Sequence, residues 1–120
     1  MKKIHVILIL LLSLNFSNSQ VNPLDVEIVR DSYGVPHIYG KTDADVAYGL
    51  AWAHSEDDFK TIQEAYLAGN GLLSKHIGLK GAPADFIGQL IRSGYVVDSL
   101  FSTIDKRFRK IAEAYAQGIN

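Results

Sequence analysis

The sequence predicts an α+β fold, a β-hairpin followed by several helices, and three observations carry that reading. Val26–Arg30 and Val35–Tyr39 are rich in β-branched and aromatic residues and flank the turn tetrapeptide Asp31-Ser32-Tyr33-Gly34. Thr42-x-x-Asp45 and Ser55-x-x-Asp58 both have the pattern of a capped helix start. Phe108, Ile111, Ala112 and Tyr115 recur at i, i+3, i+4 and i+7, the period of one helical face.

The first residues stand apart from this fold. Met1-Lys2-Lys3 is basic, Ile4 to Leu14 is almost wholly apolar apart from His5 and Ser13, and Ser17 and Ser19 are small. That three-part pattern predicts a secretory signal peptide at residues 1–19, cut after Ser19. The apolar run falls short of the about 20 residues that a membrane-spanning helix needs. The expected organisation is therefore a signal at 1–19 and one domain at 20–120, periplasmic or secreted and free of the membrane once the signal is removed.

The full chain of 120 residues has 12 Lys+Arg against 13 Asp+Glu. Losing Lys2 and Lys3 with the signal tilts the remainder further toward acid, which excludes a general affinity for nucleic acid. There is no cysteine. Disulfides, thiol catalysis and a lipid-modified cysteine at the cleavage site are all excluded. A domain of this size without disulfides has a modest core, which points to a chain that packs against more protein.

After a short extended lead-in from Val21 to Leu24, Val26–Arg30 reads as a half-buried strand. Asp31 and Gly34, first and fourth in the turn, suit a type I turn in which the carboxylate accepts a backbone hydrogen bond. Pro36 lacks an N–H, so the returning strand lies at an edge or begins just after it. Thr42 opens a helix with Asp43 and Asp45 at the positive end of its dipole. Val46, Ala47, Leu50, Ala51 and His54 share one face, and Tyr48 and Trp52 are expected in the core.

Ser55-Glu56-Asp57-Asp58 repeats the start signal and predicts a corner at His54 and Ser55, with Phe59, Ile62, Ala65 and Tyr66 on the apolar side of a second helix. Gly69-Asn70-Gly71 ends it. Leu72–Ile77 is a short helical turn, Gly78–Pro83 a loop, and Ala84–Arg92 a helix with Phe86, Ile87, Leu90 and Ile91 on one side. Ser93-Gly94 interrupts it before Tyr95–Phe101, whose state the pattern leaves open. The last helix starts at Asp105 and stops at Gly118, with Lys106, Arg107, Arg109 and Lys110 facing solvent or another part of a larger protein.

The chemistry-bearing residue types are few. His54, Asp57 and Asp58 sit at i, i+3 and i+4, a spacing that can converge on a metal ion within one helix, but helix capping by Ser55 accounts for the same residues. His37 has the residue type of a general base, yet between two strand residues it reads better as a partly buried histidine satisfied by backbone groups. His76 precedes a glycine loop near a helix end and takes no role. There is no Gly-x-Ser-x-Gly elbow, and the loops Gly69–Gly71 and Gly78–Gly81 lack a phosphate-binding pattern. No catalytic, cofactor-binding or metal-ligating residue is assigned to this segment.

Taken together, Arg30-Asp31-Ser32-Tyr33-Gly34-Val35-Pro36-His37-Ile38, Thr42-Asp43-Ala44-Asp45, Ala47-Tyr48-Gly49-Leu50-Ala51-Trp52-Ala53-His54 with Glu56-Asp57, and Ala114–Asn120 resemble the amino-terminal region of the penicillin acylase family. The likeness spans nearly all of residues 20–120. Asp58 stands where the family often has arginine and Trp52 where tyrosine is common, and the run Ala51–Phe59 looks closer to the aculeacin and acyl-homoserine-lactone acylase branch.

The resemblance implies an N-terminal-nucleophile hydrolase of four αββα layers whose precursor cuts itself. The new amino-terminal serine of the second chain then attacks a linear amide, its own α-amine acting as base. It implies three things about partners and cofactors: the remainder of the precursor as partner, a small N-acyl compound as substrate, and calcium in the full protein. None of the nucleophile, oxyanion-hole or calcium residues maps onto this chain, and Ser17-Asn18, which has the letters of the nucleophile motif, lies in the signal. The alternative from another class is a secreted small binding module without catalysis, which the chain's ending just after Gly118 with no closing element disfavours.

Overall fold

The structure, a computed structural model, describes residues 20–120. The predicted signal at 1–19 lies outside the described residues. A short 3-10 turn, Pro23–Asp25, leads into strands β1 (Glu27–Arg30) and β2 (Pro36–Tyr39), which pair antiparallel with Ile28 opposite Ile38 and Arg30 opposite Pro36. Five α-helices follow among the described residues: α1 (Asp43–Gly69), α2 (Leu73–Ile77), α3 (Ala82–Leu90), α4 (Ser93–Leu100) and α5 (Lys106–Ile119).

The hairpin turn forms as the residues require. The Gly34 N–H donates to the Asp31 carbonyl at 3.0 Å, and Asp31 Oδ1 accepts from the N–H of Tyr33 at 2.8 Å and of Val35 at 2.9 Å. Gly34 has φ 82°, the left-handed region that a side chain disfavours. The predicted capping box is also present. Thr42 Oγ1 accepts from the Asp45 N–H at 3.2 Å while Asp45 Oδ2 accepts from the Thr42 N–H at 2.8 Å.

The corner in the long helix lies three residues beyond its expected place. Ser55 is interior to α1 and its Oγ donates to the Ala51 carbonyl at 2.8 Å, the usual outlet for a hydroxyl in mid-helix. The break comes at Asp58 (φ −154°, ψ 64°), whose Oδ1 accepts from the Thr61 N–H at 3.1 Å and so caps the downstream half. Further on, the expected loop at 78–83 is a 3-10 turn, Gly78–Gly81, running directly into α3 with Pro83 in its first turn. Arg92, at φ 54°, separates α3 from α4, and the stretch left open in the sequence is helical from Ser93 to Leu100.

The core is small and made of close backbone approaches. Val21, Tyr48, Ala51, Ala53 and Ala114 are its buried apolar residues, and among the described residues no large side chain is fully buried. α1 is clasped between the hairpin and α5 with a glycine at each crossing. A Cβ on Gly49 would lie 2.6 Å from Ile38 Cγ2 and 2.8 Å from Val26 Cγ1; one on Gly118 would lie 2.8 Å from Ala51 Cβ and strike the Tyr48 carbonyl. Gly118 is therefore a packing residue inside α5, and the helix continues to Ile119.

These crossings displace the expected faces. Val46, Leu50 and Trp52 are exposed, as is Phe108, while Ala114 and Gly118 are the buried positions of α5. A search for large apolar residues misplaces a face built from glycine and alanine. Gln117 closes the unit, accepting from the Val21 N–H and donating to the Val21 carbonyl, both at 2.9 Å.

Candidate functional site

The candidate site is the junction where the end of β1 meets the middle of α1. Arg30, last in β1, donates from Nη1 to the Gly34 carbonyl at 2.9 Å and lies within 2.9 Å of Asp57 and 3.1 Å of Glu56. Asp57 first and Glu56 second hold the guanidinium more firmly charged than usual. The pairs are about half exposed on the acidic side, so their value lies in fixing the hairpin's angle on the helix rather than in raw stability. His37 stands beside the same turn, its Nε2 3.5 Å from Asp31 Oδ2. It is half exposed and meets a carboxylate rather than the backbone groups expected to satisfy a partly buried histidine.

His54, Asp57 and Asp58 do not converge. His54 Nδ1 is 3.3 Å from the Tyr115 hydroxyl with the rings edge to face, Asp57 meets Arg30, and Asp58 caps Thr61. Among the described residues no three His, Asp or Glu side chains are placed to hold a metal ion. His76 lies in the last turn of α2. No described histidine hydrogen-bonds a serine or threonine hydroxyl, so the pairing by which a histidine activates a hydroxyl does not occur among the described residues.

Two structural residues escaped the sequence reading. Asp85 is buried, its two oxygens accepting from the N–H groups of Leu73 and Ser74 at 2.8 Å each, and so caps α2 from a different helix. Arg107, expected to face solvent or another part of a larger protein, is exposed, and beyond that expectation it pairs with Asp43 at 2.6 Å and joins the first turns of α1 and α5. Neither has a local signal, because the partners are 11 or more residues away in the chain. Arg30 and the Glu56-Asp57 pair are different: both lie in the stretches that carry the family likeness, and the structure shows that those stretches touch.

The turn at this junction is sensitive to acid. The backbone N–H groups of Val35 and Tyr33, with His37 beside them, hold the Asp31 carboxyl below its ordinary value of 3.8. A carboxyl lowered by folding contributes stability above its unfolded value and loses it as pH falls through the folded one. Thermal melts taken below about pH 4 are expected to show this loss, and Asp31→Asn should flatten that part of the acid limb. An acid limb identical in the variant would mean that the turn contributes nothing to it.

The description "Penicillin amidase" belongs to the family profile that matches residues 25–120. The chain belongs to the penicillin amidase family. Among curated relatives, an acyl-homoserine lactone acylase of Pseudomonas fluorescens is 26% identical over 107 residues, covering 85% of this chain and 13% of that protein. Penicillin G acylase of Escherichia coli is 27% identical, over 80% of this family member and 11% of its own length. The penicillin acylase 2 proenzyme of a Pseudomonas species is 24% identical, over 79% and 12%.

The fold agrees. A thermostable penicillin G acylase from Alcaligenes faecalis superimposes with a TM-score of 0.70 and 25% identity, over 79% of this chain and 51% of that chain. This penicillin amidase family chain thus spans 11 to 13% of the length of these curated relatives.

Proposed function

We propose that this chain supplies the amino-terminal section of a secreted amidohydrolase that cleaves linear amides of N-acyl compounds, acyl-homoserine lactones or the side chains of β-lactams. The observation that supports it is the family match over residues 25–120, with relatives that are themselves named as acylases. In this reading residues 1–19 direct export, the precursor cuts itself, and the amino-terminal serine of the second chain is the nucleophile. The present chain contributes structure: the Arg30 junction and the glycine crossings hold a rigid clasp, and a precise scaffold is what keeps a catalytic constellation within reach of its substrate. The β-sheets of the four-layer fold, and any calcium ligands, belong to the rest of the precursor.

The test is to express the full-length gene product, sequence the amino termini of its chains, and assay release of acid from an N-acyl-homoserine lactone and from penicillin G. Two chains are expected, the first beginning at Gln20, with hydrolysis of at least one substrate that is lost when the second chain's first serine becomes alanine. An uncut product inactive on both substrates would sink the reading in favour of a binding module.

A further inference from the structure

We infer that α3 and α4 form the docking face through which this chain joins the remainder of its acylase polypeptide, an inference that rests on the family reading above. Phe86, Ile87, Leu90, Ile91, Tyr95 and Val97 are each more than half exposed. These six fall within twelve consecutive residues. From Phe86 to Phe101 only Arg92 and Asp98 carry charge, and the Arg92 guanidinium lies over the Tyr95 ring, 4.2 Å from its centroid. An apolar face of this kind, almost without charge, has the composition of a permanent interface rather than a transient one.

Among the described residues the core is made of alanines, Val21 and Tyr48 and sits on the other side of the Asp58 kink, so it does not receive these side chains. What covers them is indicated by length. The relatives extend over seven times this chain's matched span, so polypeptide of the same gene product is available at the high effective concentration that covalent connection gives. A membrane surface fits poorly, because helices that lie on lipid carry several Lys or Arg on their polar side, whereas this segment has Arg92 alone. A second copy of the chain is left as an outcome of the test.

The test uses the full-length gene product. Hydroxyl-radical labelling is expected to modify Phe86 and Tyr95 at least tenfold less than Tyr33, which is 91% exposed at the hairpin turn. Equal labelling overturns the proposal without any variant being made. Leu90→Asp and Val97→Asp, each made alone, should reduce the yield of assembled protein at least tenfold, whereas Leu24→Asp, at a site 92% exposed, should not. Unchanged yield in both face variants, or equal loss with Leu24→Asp, rejects this face. Concentration-dependent dimers that Leu90→Asp dissolves, with assembly within the gene product untouched, assign the face to a second copy and reject the proposal. Amide hydrolysis is scored separately: an assembled product with a protected face but no amidase activity overturns the functional reading and leaves the docking face standing.

Discussion

Gly118→Ala is expected to destabilise the protein by about 1–3 kcal/mol, the usual cost of forcing an extra carbon into a packed contact. The sign is the informative part. Within a helix the same exchange ordinarily favours alanine by about 1 kcal/mol, because glycine loses more backbone freedom on folding. At Gly118 the new Cβ meets the Tyr48 backbone and lies 2.8 Å from Ala51 Cβ, and neither can swing away as a flexible side-chain tip would. Gly94→Ala in α4 is the matched control: its Cβ would find nothing within 4 Å, so it should stabilise by roughly 0.5–1 kcal/mol. Urea titrations of the two variants against the parent decide it. If Gly118→Ala raised the midpoint as Gly94→Ala does, the close crossing of α1 and α5 would be wrong.

Asp85→Ala is expected to speed amide exchange at Leu73 and Ser74 by at least tenfold. α2 has five residues, too few to hold a helix by its own hydrogen bonds, and its first turn has no capping side chain of its own. Asp85 supplies that cap from α3, and contact with Ser74 first, then the two backbone N–H groups, keeps its carboxyl below the ordinary range. Removing it leaves two partly buried donors without an acceptor. Asp85→Asn, which keeps an oxygen acceptor, should fall between the parent and the alanine variant. Exchange that stays slow in Asp85→Ala would show that α2 is held by packing alone.

These two sites also mark how far the sequence could be read. Signals that act over three or four residues were legible: the Asp31–Gly34 turn, the Thr42–Asp45 capping box and the Gly69–Gly71 stop all form as their chemistry demands. The cap expected at Ser55 forms instead at Asp58, since a serine in mid-helix satisfies its hydroxyl on the preceding turn. The Asp85 cap crosses between helices and left no local trace. The helix faces were misplaced for a different reason. Where backbones touch, the residues at the contact are Gly49, Ala51, Ala114 and Gly118, and a periodicity search weighted toward large side chains passes over them.

The candidate site was legible only as a resemblance. Spacing allowed an ion at His54, Asp57 and Asp58 but read better as helix capping, and the structure sends those side chains to Tyr115, Arg30 and Thr61. The family motif, by contrast, consists largely of residues that build the hairpin–helix junction. Its letters reported a shape before they reported a reaction.

The kink at Asp58 has a consequence for angular phase. A straight helix turns about 100° per residue, so any residue gained or lost along it would spin every later side chain out of place. Upstream, the phase of α1 is pinned by Gly49 against Ile38 and by Ala51 against Gly118. Downstream it starts afresh from the Asp58 cap. The two halves therefore keep separate clocks, and the helices beyond the kink can vary in length and direction while the clasp that faces the hairpin stays in register.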